Sequence, residues 1–180
     1  TFFLVNGSTC GIEAAVLATV RPGRKILLPR NVHQSAIHAL VLSGATPVWL
    51  EPQYDSERDL LHGIRPASVA IALAEHHGQV DAVLLVSPTY HGVCTDISAV
   101  AMVTHAAGVP LIVDEAHGAH FRFHEHLPKP AVLCGADIVI KSTHKTMSAM
   151  TQAAMMHVLQ SELVSRPRVI SALQLVQTTS

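Results

Sequence analysis

The chain has 180 residues, enough for one domain with its own core, and its 49% apolar content is ordinary for a soluble globular protein. Twelve Lys and Arg against thirteen Asp and Glu leave a formal net charge of −1, which gives no general attraction to nucleic acid or an anionic membrane. Cys10, Cys94 and Cys134 are odd in number without CxxC spacing, no apolar run could span a bilayer, and Phe2-Phe3-Leu4-Val5 lacks the basic flank of a signal peptide. A reducing, cytoplasmic setting is therefore expected.

Strands and helices alternate along the chain. Phe2 to Val5 reads as a strand, Ser8 and Thr9 cap a helix through about Val20, and Arg21-Pro22-Gly23 breaks it. Lys25 to Leu28 is a strand, followed by a helix from about Val32 to Ser43 that stops at Gly44. Thr46 to Leu50 is the next strand, and Glu51 to Arg65 is polar and irregular. Pro66 opens a helix to about His76. Ala82 to Val86, Leu111 to Val113 and Asp137 to Ile140 are short, continuous apolar strands of the kind buried on both faces of a parallel sheet, with a helix from Asp96 to Ala107 between the first two. Gln152 to Leu159 reads as a further strand and Pro167 to Val176 as a helix. The alternation predicts a three-layer α/β sandwich around a mostly parallel sheet, with its site at the carboxyl ends of the strands.

Chemistry-bearing residues gather at those ends. Lys145 follows the strand that ends at Ile140, and Asp114 and His117 follow the strand that ends at Val113. An amine, a carboxylate and an imidazole suit pyridoxal phosphate (PLP). The amine condenses with its aldehyde, the carboxylate keeps its ring nitrogen protonated, and the imidazole lies near the ring substituents. Gly7-Ser8-Thr9, between a strand and a helix, can converge amides and hydroxyls on a phosphate, although a plain helix cap would use the same residues. Lys141 lies inside a strand and is set aside.

Five motifs run in order: Asn6-Gly7-Ser8-Thr9-Cys10-Gly11, Asn31-Val32-His33-Gln34-Ser35, Ser87-Pro88-Thr89-Tyr90-His91-Gly92, Asp114-Glu115-Ala116-His117-Gly118 and Ser142-Thr143-His144-Lys145-Thr146. In these the chain resembles the cofactor-binding domain of the ornithine/lysine/arginine decarboxylase family, PLP enzymes of fold type I. The resemblance implies a seven-stranded sheet whose strand after Lys145 runs antiparallel. It gives catalytic roles to Lys145, to His33 stacked on the ring and to His117 on the reactive side. It places Ser8 and Thr9 on the phosphate, Ser142 and His144 on the phosphate from the opposite side, Asp114 on the ring nitrogen and Thr89 against the ring or its oxygen. The implied activity is decarboxylation of lysine, ornithine or arginine, within polyamine synthesis, by a homodimer or larger homo-oligomer. Aminotransferases and aldolases of the same fold share the lysine and the aspartate, so those two residues alone do not fix the reaction. The chain begins at Thr1 and lacks the family's smaller C-terminal domain, so residues 1–180 are expected to be an incomplete large domain. An inactive fragment with a structural or partner-binding role is the other expectation. Gln34 stands where family members often carry lysine.

Two other readings fail on spacing. Asp114-Glu115-Ala116-His117 spells a helicase motif, yet the sequence has no GxxxxGK[ST] loop. His117, His120, His124, His126 and Glu125 crowd one stretch, but their spacing matches no standard metal pattern, so no metal is expected.

Overall fold

Short, wholly apolar strands need cover on both faces, and the chain supplies it with helices between nearly every pair of strands. The computed structural model describes residues 1–177. Seven strands form the main sheet: β1 (Phe2–Leu4), β2 (Lys25–Pro29), β3 (Thr46–Leu50), β6 (Val80–Val86), β7 (Leu111–Asp114), β8 (Ile138–Ser142) and β9 (Ala154–Val158). Their order is β1-β9-β8-β7-β6-β2-β3, and β9 runs antiparallel to both its neighbours while the other pairs are parallel. The strand after Lys145 is thus the antiparallel one, as the resemblance implies.

The pleat divides the side chains between two cores. Ile138 and Ile140 of β8 face a layer of α1 (Gly7–Thr19), α2 (Gln34–Ser43) and α6 (Arg166–Val176). Val139 faces the opposite layer, α3 (Pro66–Glu75) and α4 (Ile97–Ala106). Helix α1 can lie close to the sheet because Gly11 has no side chain. A Cβ there would sit 2.7 Å from Leu4 Cδ1 and 3.1 Å from Ile140 Cγ2. That contact fixes the first turn of α1 against the ends of β1 and β8. Gly44 closes α2 with a left-handed φ of 66°, and its amide donates to Leu40 O at 3.0 Å. Asp96 caps α4 by accepting from the Ala99 amide at 3.0 Å.

Three local expectations are corrected. Helix α1 begins at Gly7, and Ser8 is not its cap, because the Ser8 hydroxyl is hydrogen-bonded to that of Ser142. Helix α2 begins at Gln34, since His33 is its cap and accepts from the Ser35 amide at 3.2 Å. The polar segment after β3 contains a hairpin, β4 (Tyr54–Asp55) with β5 (Leu60–Leu61). Its turn is held by Asp55, which accepts from the amides of Glu57 and Arg58 at 3.0 and 3.1 Å.

Candidate active site

The carboxyl ends of β1, β7 and β8 open on a cleft of about 580 Å³. Its walls carry Ser8, Thr9, His33, Asp114, His117, Ser142, His144 and Lys145, eight of the nine residues named from the sequence. Thr89 is the ninth, and it lines a neighbouring recess instead. Its hydroxyl accepts from the Val93 amide at 3.2 Å and so closes the 89–93 turn, which is why it does not reach the cleft wall.

Asp114 ends β7 and is buried, with Oδ1 accepting from the Ala116 amide at 3.1 Å. Burial pushes its carboxyl above the usual carboxylate range, and that amide, Lys145 and His33 pull it partly back. Such a carboxylate is short of a cationic partner at the floor of the cleft. Lys145 stands on α5 (Thr143–Thr146), a single helical turn that lifts its amine away from the sheet. Its Nζ lies 3.2 Å from His117 Nε2. Burial, then the charges of Lys145 and His33, lower the His117 imidazole below its ordinary value. His117 is therefore neutral near pH 7 and can accept from the Lys145 ammonium. The Tyr90 ring meets His117 edge to face at 5.2 Å.

At the other end of the cleft, Gly7 takes a left-handed φ of 72° and its amide donates to Gln152 O at 2.9 Å. This turn sets the N-terminus of α1, with Ser8 and Thr9, against Ser142. His144 Nδ1 lies 2.8 Å from Ala153 O, which leaves its Nε2 free. Hydroxyls, an imidazole and a thirteen-residue helix's N-terminus here match the chemistry of a phosphate. His33 Nδ1 accepts from the Ser35 amide at 3.2 Å, so whenever the ring is neutral its proton sits on Nε2.

Lys141 is held apart. Its side chain is only 5% exposed, and Nζ lies 2.8 Å from Glu115 Oε2. The other histidines do not assemble: His124 and His126 stack edge to face at 5.0 Å, His120 packs on Phe121, and among the described residues no three metal-capable side chains converge. Sequence reasoning gave no role to Tyr90, Gln152 or Glu115. Tyr90 and Glu115 lay inside recognised motifs, whereas Gln152 carried no signal, because only the path between α5 and β9 brings it to the cleft.

A family model, "Orn/Lys/Arg decarboxylase, major domain", matches residues 1–180. The chain belongs to that family. An arginine decarboxylase of Bacillus subtilis (strain 168) is 42% identical over 180 residues, all of this chain and 36% of the relative. The chain thus spans little more than a third of that decarboxylase. Lysine decarboxylase A from Pseudomonas aeruginosa superposes with a TM-score of 0.84 at 24% identity, over 99% of this chain and 26% of that one. Cystalysin from Treponema denticola, whose structure contains a pyridoxal 5'-phosphate cofactor, superposes with a TM-score of 0.75 at 15% identity, over 99% of this chain and 46% of its own. The decarboxylase-family chain therefore has the fold type I architecture, and its cleft lies at the strand ends where open α/β sheets bind ligands.

Proposed function

We propose that the protein of which this chain forms the major domain is a PLP-dependent decarboxylase of a basic amino acid. The observation that carries the reading is Asp114, a buried carboxyl at the floor of a cleft that also holds the Lys145 amine and a phosphate-type end. Ser8, Thr9, Ser142 and His144 would hold the phosphate, His33 would cover one ring face, and Asp114 would hold the ring nitrogen in its protonated form. When bound, the cofactor supplies an electrophilic carbon for the substrate amine and a ring that accepts the electron pair left by departing carbon dioxide. Asp114 keeps a negative charge beside that ring nitrogen, which favours electron flow toward it. Lys145 holds the cofactor between turnovers, and its amine passes a proton to or from His117 across 3.2 Å. His117 then stands next to the place where the substrate carbon regains a proton.

Arginine is the first substrate to test, because the relative at 42% identity is named for it. Lysine and ornithine follow. A C-terminal small domain beyond these residues would close over the substrate, and a second subunit would complete the cleft, whose lining residue Tyr90 is 84% exposed. The amine product would enter polyamine synthesis in the cytoplasm. The test incubates the full-length protein, PLP and each amino acid labelled at C1, and measures released carbon dioxide and amine. Release from one basic amino acid is expected. Formation of a 2-oxo acid without carbon dioxide, or no visible absorbance from bound PLP, would overturn the reading.

A further inference from the structure

Glu115 and Lys141 form an ion pair on the face of the sheet turned away from the cleft. Nζ lies 2.8 Å from Oε2, and the side chains of Lys141 and Glu115 are 5% and 2% exposed. Each sits one residue from a cleft residue on its own strand end, Glu115 after Asp114 and Lys141 before Ser142, so the alternation of side chains places them below the site. The surroundings are closely built. Glu115 Oε1 accepts from the Ala131 amide at 2.7 Å, and the Glu115 amide donates to Ile140 O at 2.8 Å. Gly118 makes the room, since a Cβ there would lie 2.7 Å from Glu115 Cγ and 2.8 Å from Phe121 Cε2.

Stability does not account for such a pair. Desolvating two charges offsets most of their attraction, and apolar replacements of similar volume often leave a fold as stable or more so. Its position suggests another use. The pair bridges the residue just past β7 and the penultimate residue of β8, beside Asp114 and Ser142, and Lys141 lies four residues before Lys145. We propose that Glu115 and Lys141 are positioning residues that lock the carboxyl ends of β7 and β8 together and thereby set the separation of Asp114 and Lys145 across the cleft. This rests on the PLP reading above. Sliding of one strand end against the other would move the carboxylate away from the ring nitrogen while the amine stayed in place, and misplacement by about 1 Å costs on the order of 100-fold in rate.

Two variants of the full-length protein test it. E115Q/K141M keeps an acceptor for the Ala131 amide and removes both charges, and E115L/K141M replaces the pair with apolar side chains and takes that amide's acceptor away. Three quantities are read in each folded variant: PLP affinity on reconstitution of the apoprotein, the pH at which the visible band of bound PLP changes, and kcat against KM. The expected result is a melting temperature of E115Q/K141M within a few degrees of the unsubstituted protein, and PLP affinity weakened at least tenfold in both variants. The band transition should be displaced, and kcat should fall about 100-fold with little change in KM. Unaltered affinity, band transition and kcat in either folded variant would overturn the proposal. Failure of both variants to fold would overturn it too, the pair then being a requirement of the fold. A missing PLP band in the unsubstituted protein is a different result, since it removes the PLP reading itself.

Discussion

Replacing Lys141 alone by Met removes the ammonium and leaves the Glu115 carboxyl with one donor, the Ala131 amide. Met follows the path of the lysine stem, so the cost comes from the stranded charge rather than from a cavity. With the Glu115 side chain 2% exposed, water cannot replace the lost partner, and breaking a buried pair from one side costs about 3–5 kcal/mol. That is a large part of the roughly 5–15 kcal/mol that holds a typical domain folded. At about 2–4 °C per kcal/mol for a domain of this size, the melting temperature should fall by about 6–20 °C. The cost depends on pH. Burial already pushes the Glu115 carboxyl above its ordinary value, and loss of Lys141 raises it further. A carboxyl raised in the folded state leaves stability intact below the unfolded value of about 4.3, and stability is lost as pH rises from there through the folded value. Thermal melts of full-length apoprotein followed by circular dichroism should therefore show K141M close to the unsubstituted protein near pH 5 and furthest below it near pH 8. A gap under about 1 kcal/mol at pH 8, or one that does not change with pH, would refute the reasoning.

Three further outcomes are expected. Borohydride reduction of the PLP-loaded full-length protein, followed by peptide mapping, should place the pyridoxyl group on Lys145, whose amine lies in the cleft, and not on Lys141, whose amine is 2.8 Å from Glu115. Asp114→Asn should keep PLP bound while turnover falls by about 100-fold or more, as measured by carbon dioxide release, because the negative charge beside the ring nitrogen is gone. Gly11→Ala should destabilise the protein by about 1–3 kcal/mol in urea unfolding, since its Cβ would meet Leu4 Cδ1 at 2.7 Å and would push α1 off the ends of β1 and β8.

The layered fold was legible because its signals are local. Val139 between Ile138 and Ile140 marks a strand buried on both faces, and Gly44 and Pro66 punctuate helices without help from distant residues. What the sequence hid depends on partners far along the chain. Ser8 looks like a helix cap until Ser142, 134 residues later, takes its hydroxyl. Lys141 and Glu115 each read as an isolated charge, since only the pairing of β7 with β8 brings them to 2.8 Å. Thr89 belongs to a motif that reaches the cleft through Tyr90, and only the turn geometry shows that the threonine itself is spent on Val93. The β4–β5 hairpin was missed because each strand has two residues, too few for any alternation to register.

The pairing of β1 with β9 also orders events during synthesis. Phe2 to Leu4 lie beside Met156 to Ala154, and among the described residues β9 is the only strand beside β1. On a ribosome, therefore, β1 emerges some 150 residues before the strand that seats it. The turn that follows it, with Ser8 and Thr9, cannot face Ser142 until β9 is inserted between the two strands. The end of the cleft lined by Ser8, Thr9 and Ser142 thus forms only once β9 is in place, and any ligand that needs it can stabilise the finished sheet but cannot guide its assembly.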